Sequence, residues 1–264
     1  AIMLVGMMVV SASAASYNDL TDKDQIVNKD AVSMLVSLGI IEGKPDGSYG
    51  PTENVDRAQM AKMLSVIMNK GVDNSALYQS VNSGLVDVNT NWAKGHINYC
   101  YTTGIIAGRG NGKFDPSATV TALEAAKMLL VAVGYDPAIE GFEGADWAIN
   151  VSVRADEQGI FEGFTKDLSA PLNRDDAALL IYNALDVEMI QSYTTNNYPI
   201  AYSDHRTILA DKYGVIKVQG VVVANEWASL ASDDGDAALK EGKTTIYNGE
   251  GIFSTTGNTT VSKE

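Results

Sequence analysis

The hydrophobic positions of this chain fall into blocks that recur. Met60, Ala61, Met63, Leu64, Ile67 and Met68 form a wide stripe at helical spacing. Ala125, Met128, Leu129 and Ala132 repeat it, and so do Ala177, Leu180, Ile181 and Ala184. Each stripe follows a residue suited to cap a helix, namely Asp56, Thr121 or Asn173, with Gln59, Glu124 or Asp176 three residues further on. The first two pairs fit a capping box and the third fits it loosely. Ahead of each cap lies a loop punctuated by glycine, and ahead of the loop a shorter helical pattern. That pattern is clearest where Trp92 opens a segment with Ala93, Ile97, Cys100 and Tyr101 before Gly104 ends it. Asp46-Gly47 and Asn111-Gly112 are turn chemistry, because Asp-Gly and Asn-Gly pairs tolerate positive φ at little cost.

These blocks are copies of one text. Asp22 to Leu64 falls on Asp87 to Leu129 at a constant offset of 65, without a gap. A third copy runs from Asp146-Trp147-Ala148 to Leu185 with a shorter loop. A repeat of this period is a supersecondary unit that buries its apolar face against its neighbours. The predicted fold is therefore mainly α: three helix-loop-helix repeats, at 16–75, 84–137 and 140–190, whose second-helix stripes pack into a pseudo-threefold bundle. Thr194-Thr195-Asn196-Asn197 reads as a linker, and Asp204 to Tyr213 as one more short helix. From Val215 onward, β-branched alternation predicts the opening strands of a β-rich segment, so 191–264 is assigned to linker and β domain. Residues 1–15, an apolar run ending in Ser11-Ala12-Ser13-Ala14-Ala15, read as the remnant of a secretory signal peptide. The run is too short to span a bilayer as a helix, so no stable membrane insertion is expected.

Charge narrows the partners. A formal net charge of −14 repels nucleic-acid backbones, and no large Lys/Arg cluster offsets it. The single cysteine, Cys100, rules out an intrachain disulfide framework and any multi-thiolate metal site.

The segment DVNTNWAKGHINYCYTTGIIAGRGNGKFDPSATVTALEAAKMLL (87–130) resembles an S-layer homology module. The family's pattern is an Asp, a Trp-Ala pair, a GI-x-x-G turn, a Phe-x-Pro and a Thr-Arg-Ala-Glu helix start, and all three copies follow its order. The resemblance implies a trimer of modules, without catalytic residues, that anchors exported proteins to the bacterial wall by binding an acidic, often pyruvylated, secondary cell-wall polysaccharide. Other S-layer subunits are possible further partners, and no cofactor or metal is implied. Matching residues suggest the contacts. Arg57 and Arg174 follow their caps and can fork onto a carboxylate beside unpaired helix-start amides. Trp92 and Trp147 offer flat faces to sugar rings, and Gly43, Gly108 and Gly163 permit close backbone approach. Asp87 and Asp146 complete the set, although these aspartates and Asp22 are also good caps for the first helix of their copy. Both arginines also read as inter-repeat salt bridges, and both tryptophans as packing anchors. Three departures stand out: Ala122 where the pattern carries Arg, Val27 where it carries Trp, and the shortened third loop.

Other function classes fit less well. His96 and Cys100 share a helix face, but no third group recurs to orient a dyad, and the first copy has Ala31 and Leu35 there. Asp46-Gly47 with Glu53 mimics the end of an EF-hand loop, yet Glu42 and Lys44 occupy its first and third ligand positions. Helical repeats also serve as protein–protein adaptors, and such modules also anchor surface enzymes whose catalytic domain would lie outside this sequence.

Overall fold

The computed structural model describes residues 16–217, together with 220–227, 229–230, 239–240, 243–247, 249 and 251–254. The segment 1–15, read above as a signal-peptide remnant, lies outside the described residues. The chain divides into two units after Gly214.

Among the described residues of the first unit, six helices come in the expected pairs: α1 (Lys29–Ser37) and α2 (Arg57–Met68), α3 (Lys94–Thr102) and α4 (Ala122–Val133), α5 (Trp147–Glu157) and α6 (Arg174–Ala184). The long helices begin where their caps lie. Asp56 and Thr121 each accept from the amide three residues on, and Gln59 and Glu124 reach back to complete the box. Asn173 accepts from Asp176 without a reciprocal bond. A helix leaves its first amides without internal partners, so these caps fix each boundary locally.

The packing departs from a string of hairpins. Each first helix lies against the second helix of the preceding copy: α3 on α2, α5 on α4, and α1 on α6. The amphipathic stripes show that a face is buried but not against which partner, and the long glycine loops carry the chain past its own helix. The second helices meet in turn, α2 with α4 and α4 with α6. Their apolar faces supply much of the core, including Met60, Leu64, Leu130, Leu180 and Ile181, each fully buried.

Backbone hydrogen bonds bind the copies in a closed order. The amide of Val55 donates to the Leu172 carbonyl, Leu172 to Val120, and Val120 back to Val55. The helix starts follow the same order. Arg57 and Ala58 donate to Ala118 and Pro116, Arg174 and Asp175 to Glu53 and Pro51, and Leu123 to Leu168. Although the third copy has the shorter loop, its Leu168 carbonyl serves as the two prolines do.

Residues 186–214 also belong to this unit. Strands β1 (Ile190–Tyr193) and β2 (Pro199–Ala201) form an antiparallel hairpin, and the stretch read as a linker, 194–197, is its turn. The short helix α7 (Ile208–Tyr213) buries Ile208 and Leu209, and Tyr213 donates to the Ile67 carbonyl at the end of α2. Gly134 ends α4 at φ +113°, and a Cβ there would lie 2.5 Å from the Ile190 carbonyl oxygen, so the hairpin sits on a surface only glycine permits. The second unit contains an antiparallel sheet of β3 (Val221–Ala224), β4 (Thr245–Tyr247) and β5 (Ile252–Ser254) in that order. No helix among the described residues is long and apolar enough to cross a membrane.

Candidate functional site

Two grooves in the first unit are built from the same repeat positions. The first, of about 170 Å³, is lined by Ile40, Glu42, Lys62 and Met63 of copy one, Trp92 of copy two and Arg174 of copy three. The second, of about 390 Å³, is lined by Ile105, Ala107, Lys127 and Met128 of copy two, Trp147 of copy three and Arg57 of copy one. The offset of 65 maps the copy-one set onto the copy-two set residue by residue. The structure thus brings together Arg174 with Trp92, and Arg57 with Trp147 and Gly108. Gly163, Asp87 and Asp146 line neither groove, and Gly43 follows a lining residue, Glu42, without lining the groove itself.

The two arginines differ in their surroundings. Arg57 is 4 % exposed, its Nε and Nη2 donate to the carbonyls of Phe114 and Ala107 at 2.8 and 2.9 Å, and its guanidinium lies 4.3 Å over the Phe114 ring. Burial, with Arg109 pushing the same way, lowers its pKa to about 10. Arg174 lies 4.7 Å over Tyr49, and its Nη2 donates to the Glu42 carbonyl at 3.2 Å. Its Nε is buried with no partner. Both side chains therefore tie one copy to the next by stacking on the aromatic residue of the neighbouring loop. At the third such position Ala122 replaces the arginine and Lys166 the ring, and Lys166 pairs with Asp176.

The helix-start amides are not free, contrary to the sequence expectation. The first two of α2 and of α6 donate to the neighbouring copy and the third to the cap, so none is left for a ligand carboxylate. The aspartates do other work too. Asp22 accepts from the amides of Tyr49 and Gly50, and Asp87 from those of Phe114 and Asp115, so each pins its loop instead of capping the first helix. Partial burial pushes these carboxyls up, but the amide bonds outweigh it and hold both below the usual carboxylate range. Asp146 directly precedes Trp147, is exposed, and makes no side-chain cap bond.

Trp92 is 58 % exposed, and Trp147 is half-buried with Lys127 Nζ 5.9 Å over its ring. Burial lowers the Lys127 pKa against the opposing pull of Glu143. Lys62 and Lys127 are groove residues that the sequence reading missed. A signal existed: each is a lysine on an otherwise apolar stripe, at the same repeat position in copies one and two, where copy three has Leu179. The first groove therefore holds two cations, Lys62 and Arg174, against one anion, Glu42. The second holds Arg57, Arg109 and Lys127 against Glu124 and Glu143. Each is locally positive on a chain of net charge −14.

The rival chemistries find little support. Cys100 is buried with its Sγ against the Ala61 carbonyl, and burial raises its pKa far from the reactive range. His96 contacts Ser65 instead, and both are 4 % exposed, so no substrate reaches that hydroxyl. Lys44 pairs with Glu53 across the loop that mimics an EF-hand.

Residues 16–61 and 86–126 match the S-layer homology domain. The chain is 28 % identical over 256 residues to a cell surface protein of Thermoanaerobacter kivui, across 97 % of this chain and 30 % of that one. It is 26 % identical to the middle cell wall protein of Brevibacillus brevis, across 89 % and 21 %. An S-layer protein of Bacillus licheniformis is 31 % identical across 53 % and 15 %. The chain thus spans less than a third of the length of each of these relatives.

Proposed function

We propose that these S-layer homology domains form one pseudo-threefold unit that anchors an exported protein to the bacterial cell wall, without catalysis, by holding a carboxylate-bearing secondary wall polysaccharide. The relatives' names, cell surface protein, middle cell wall protein and S-layer protein, support the location. The closed order of backbone bonds among Val55, Leu172 and Val120 supports the threefold arrangement.

The observation that carries the reading is the duplicated groove: an aromatic face, a lysine and an arginine in the same arrangement twice. A tryptophan beside cations suits a sugar ring that bears an anion, such as a pyruvate ketal. The third equivalent position would bring together Ala122, Val27 and Leu179, where the other two have Arg, Trp and Lys. Both departures from the family pattern at single residues therefore fall on one groove. Two grooves work and the third does not.

Calorimetry of the full chain with purified wall polysaccharide tests this, before and after mild acid removal of ketal groups. Two sites per chain that disappear with the ketals support the reading. Binding that survives ketal removal, or three equal sites, contradicts it.

A further inference from the structure

Beneath the first groove lies a polar cluster that neither the fold nor glycan binding requires. Ser65 on α2 and His96 on α3 meet at 2.6 Å between Oγ and Nδ1, both 4 % exposed. His96 Nε2 faces Asp73 Oδ2 at 3.6 Å, from the segment after α2. The same repeat positions in the next lobe are Leu130 and Val151, both fully buried. A buried polar pair costs stability that an apolar pair does not, so Leu and Val would serve packing better.

The cluster touches the groove in two places. The imidazole lies edge-on to Trp92, with ring centroids 6.4 Å apart. Ser65 Oγ also lies 3.0 Å from the carbonyl of Lys62, the groove lysine. The hydroxyl has one proton and two acceptors, so the imidazole state decides its direction. With neutral His96 bearing its proton on Nε2 toward Asp73, Ser65 donates to Nδ1. With protonated His96, Nδ1–H donates to Ser65 and the hydroxyl turns to the Lys62 carbonyl. The charged groups facing the ring are Asp73 and, more distantly, Lys62; the 3-10 turn Ser75–Tyr78 beside α3 brings none.

We infer that Ser65, His96 and Asp73 form a proton-sensitive device between the first two copies, whose state is transmitted to the first groove through Trp92 and Lys62. Burial holds the His96 pKa below its ordinary value, Lys62 pushes the same way, and Asp73 opposes both. An anion seated against Lys62 cancels that push, so ligand binding raises the His96 pKa. By reciprocity, protonation tightens the first groove by the same factor, roughly threefold for one partly screened charge contact. The ligand consequence rests on the glycan reading above; the link between His96 and Trp92 does not.

The test is an NMR titration of the full chain between pH 4 and 8, with only His96 and His205 to resolve. Without ligand, the Trp92 indole N–H is expected to follow the His96 midpoint while that of Trp147 does not, and His96→Gln abolishes the response. A Trp92 signal flat through the His96 transition, or one unchanged in His96→Gln, overturns the inference. A methyl hexopyranoside carrying a 4,6-pyruvate ketal then probes the second step. A His96 midpoint moved up, with about threefold tighter binding below it, supports the coupling, whereas a bound sugar that leaves the midpoint in place refutes that step. A sugar that fails to bind at any pH sinks the glycan reading and leaves the ligand-free titration to decide the His96–Trp92 link.

Discussion

Replacing Arg57 by Ala tests whether this side chain is a clasp between copies as well as a groove wall. It donates two hydrogen bonds, at 2.8 and 2.9 Å, to carbonyls of the next copy while 4 % exposed. Charge-assisted bonds of this kind contribute about 1.5–3 kcal/mol each, and the stack on Phe114 adds about 1. Desolvation of the guanidinium offsets part of this, as its lowered pKa indicates. Truncation does not recover that cost cleanly, because it leaves the Phe114 and Ala107 carbonyls without their partner and opens a cavity. The expected net loss is about 3–5 kcal/mol. In a unit of this size that lowers the melting temperature by roughly 8–15 °C. Arg174→Ala removes one longer bond and a stack from a half-exposed side chain whose Nε has no partner, so about 1 kcal/mol and roughly 3 °C are expected. Circular dichroism melts of the two variants decide the matter. A melting point for Arg57→Ala within about 2 °C of the parent, or equal to that of Arg174→Ala, would refute the clasp.

Further outcomes follow from the same geometry. Lys62→Gln and Lys127→Gln should each weaken carboxylate–glycan binding in one groove by about tenfold with little change in melting temperature, read by calorimetry; unchanged affinity would remove the lysines from the site. The lowered pKa values of Asp22 and Asp87 mean that the folded state binds fewer protons than the unfolded state. Their contribution is therefore present above the ordinary carboxylate pKa and is lost as pH falls through the lowered folded value. Asp22→Asn/Asp87→Asn should flatten the acid limb of the stability curve, and an unaltered limb from pH 5 to 2 in urea unfolding would contradict this. Ala122→Arg should destabilise the unit, because the new cation meets Lys166 in place of an aromatic ring; adding Lys166→Phe should recover about 1 kcal/mol or more. Additive effects in that double-mutant cycle would mean the two positions do not face each other.

What was legible in the sequence was local. The three caps sit where their residue types placed them, because a cap needs only an oxygen and an amide three residues away. The pairing of helices was not legible. The stripe of α2 shows that a face is buried, but α1 of its own copy and α3 of the next both carry apolar positions, and the loop length alone does not choose between them. The helix-start amides were misread for the same reason, since their acceptors, Pro116, Ala118, Pro51 and Glu53, come from another copy. Thr194 to Asn197 has a linker's composition, yet Asn197 takes φ 63° and closes a hairpin turn. Polar composition marks an exposed turn without saying what its flanks cover.

The grooves themselves follow from that non-local assembly. The first takes its lysine from copy one, its tryptophan from copy two and its arginine from copy three, and the second permutes the same order. No single copy holds a complete set, so a groove exists only once the helix starts have docked onto their neighbours. Arg57 shows why the two roles share a residue. A guanidinium fixed by two carbonyls and a ring has lost its rotamer freedom on folding, so a ligand meeting the groove wall does not have to order it. The ordering entropy of the site is thus met in folding the triplet. On the proposed reading, binding and the docking of the copies draw on one set of contacts, and substitutions that loosen the docking are expected to weaken both grooves even when they lie in neither.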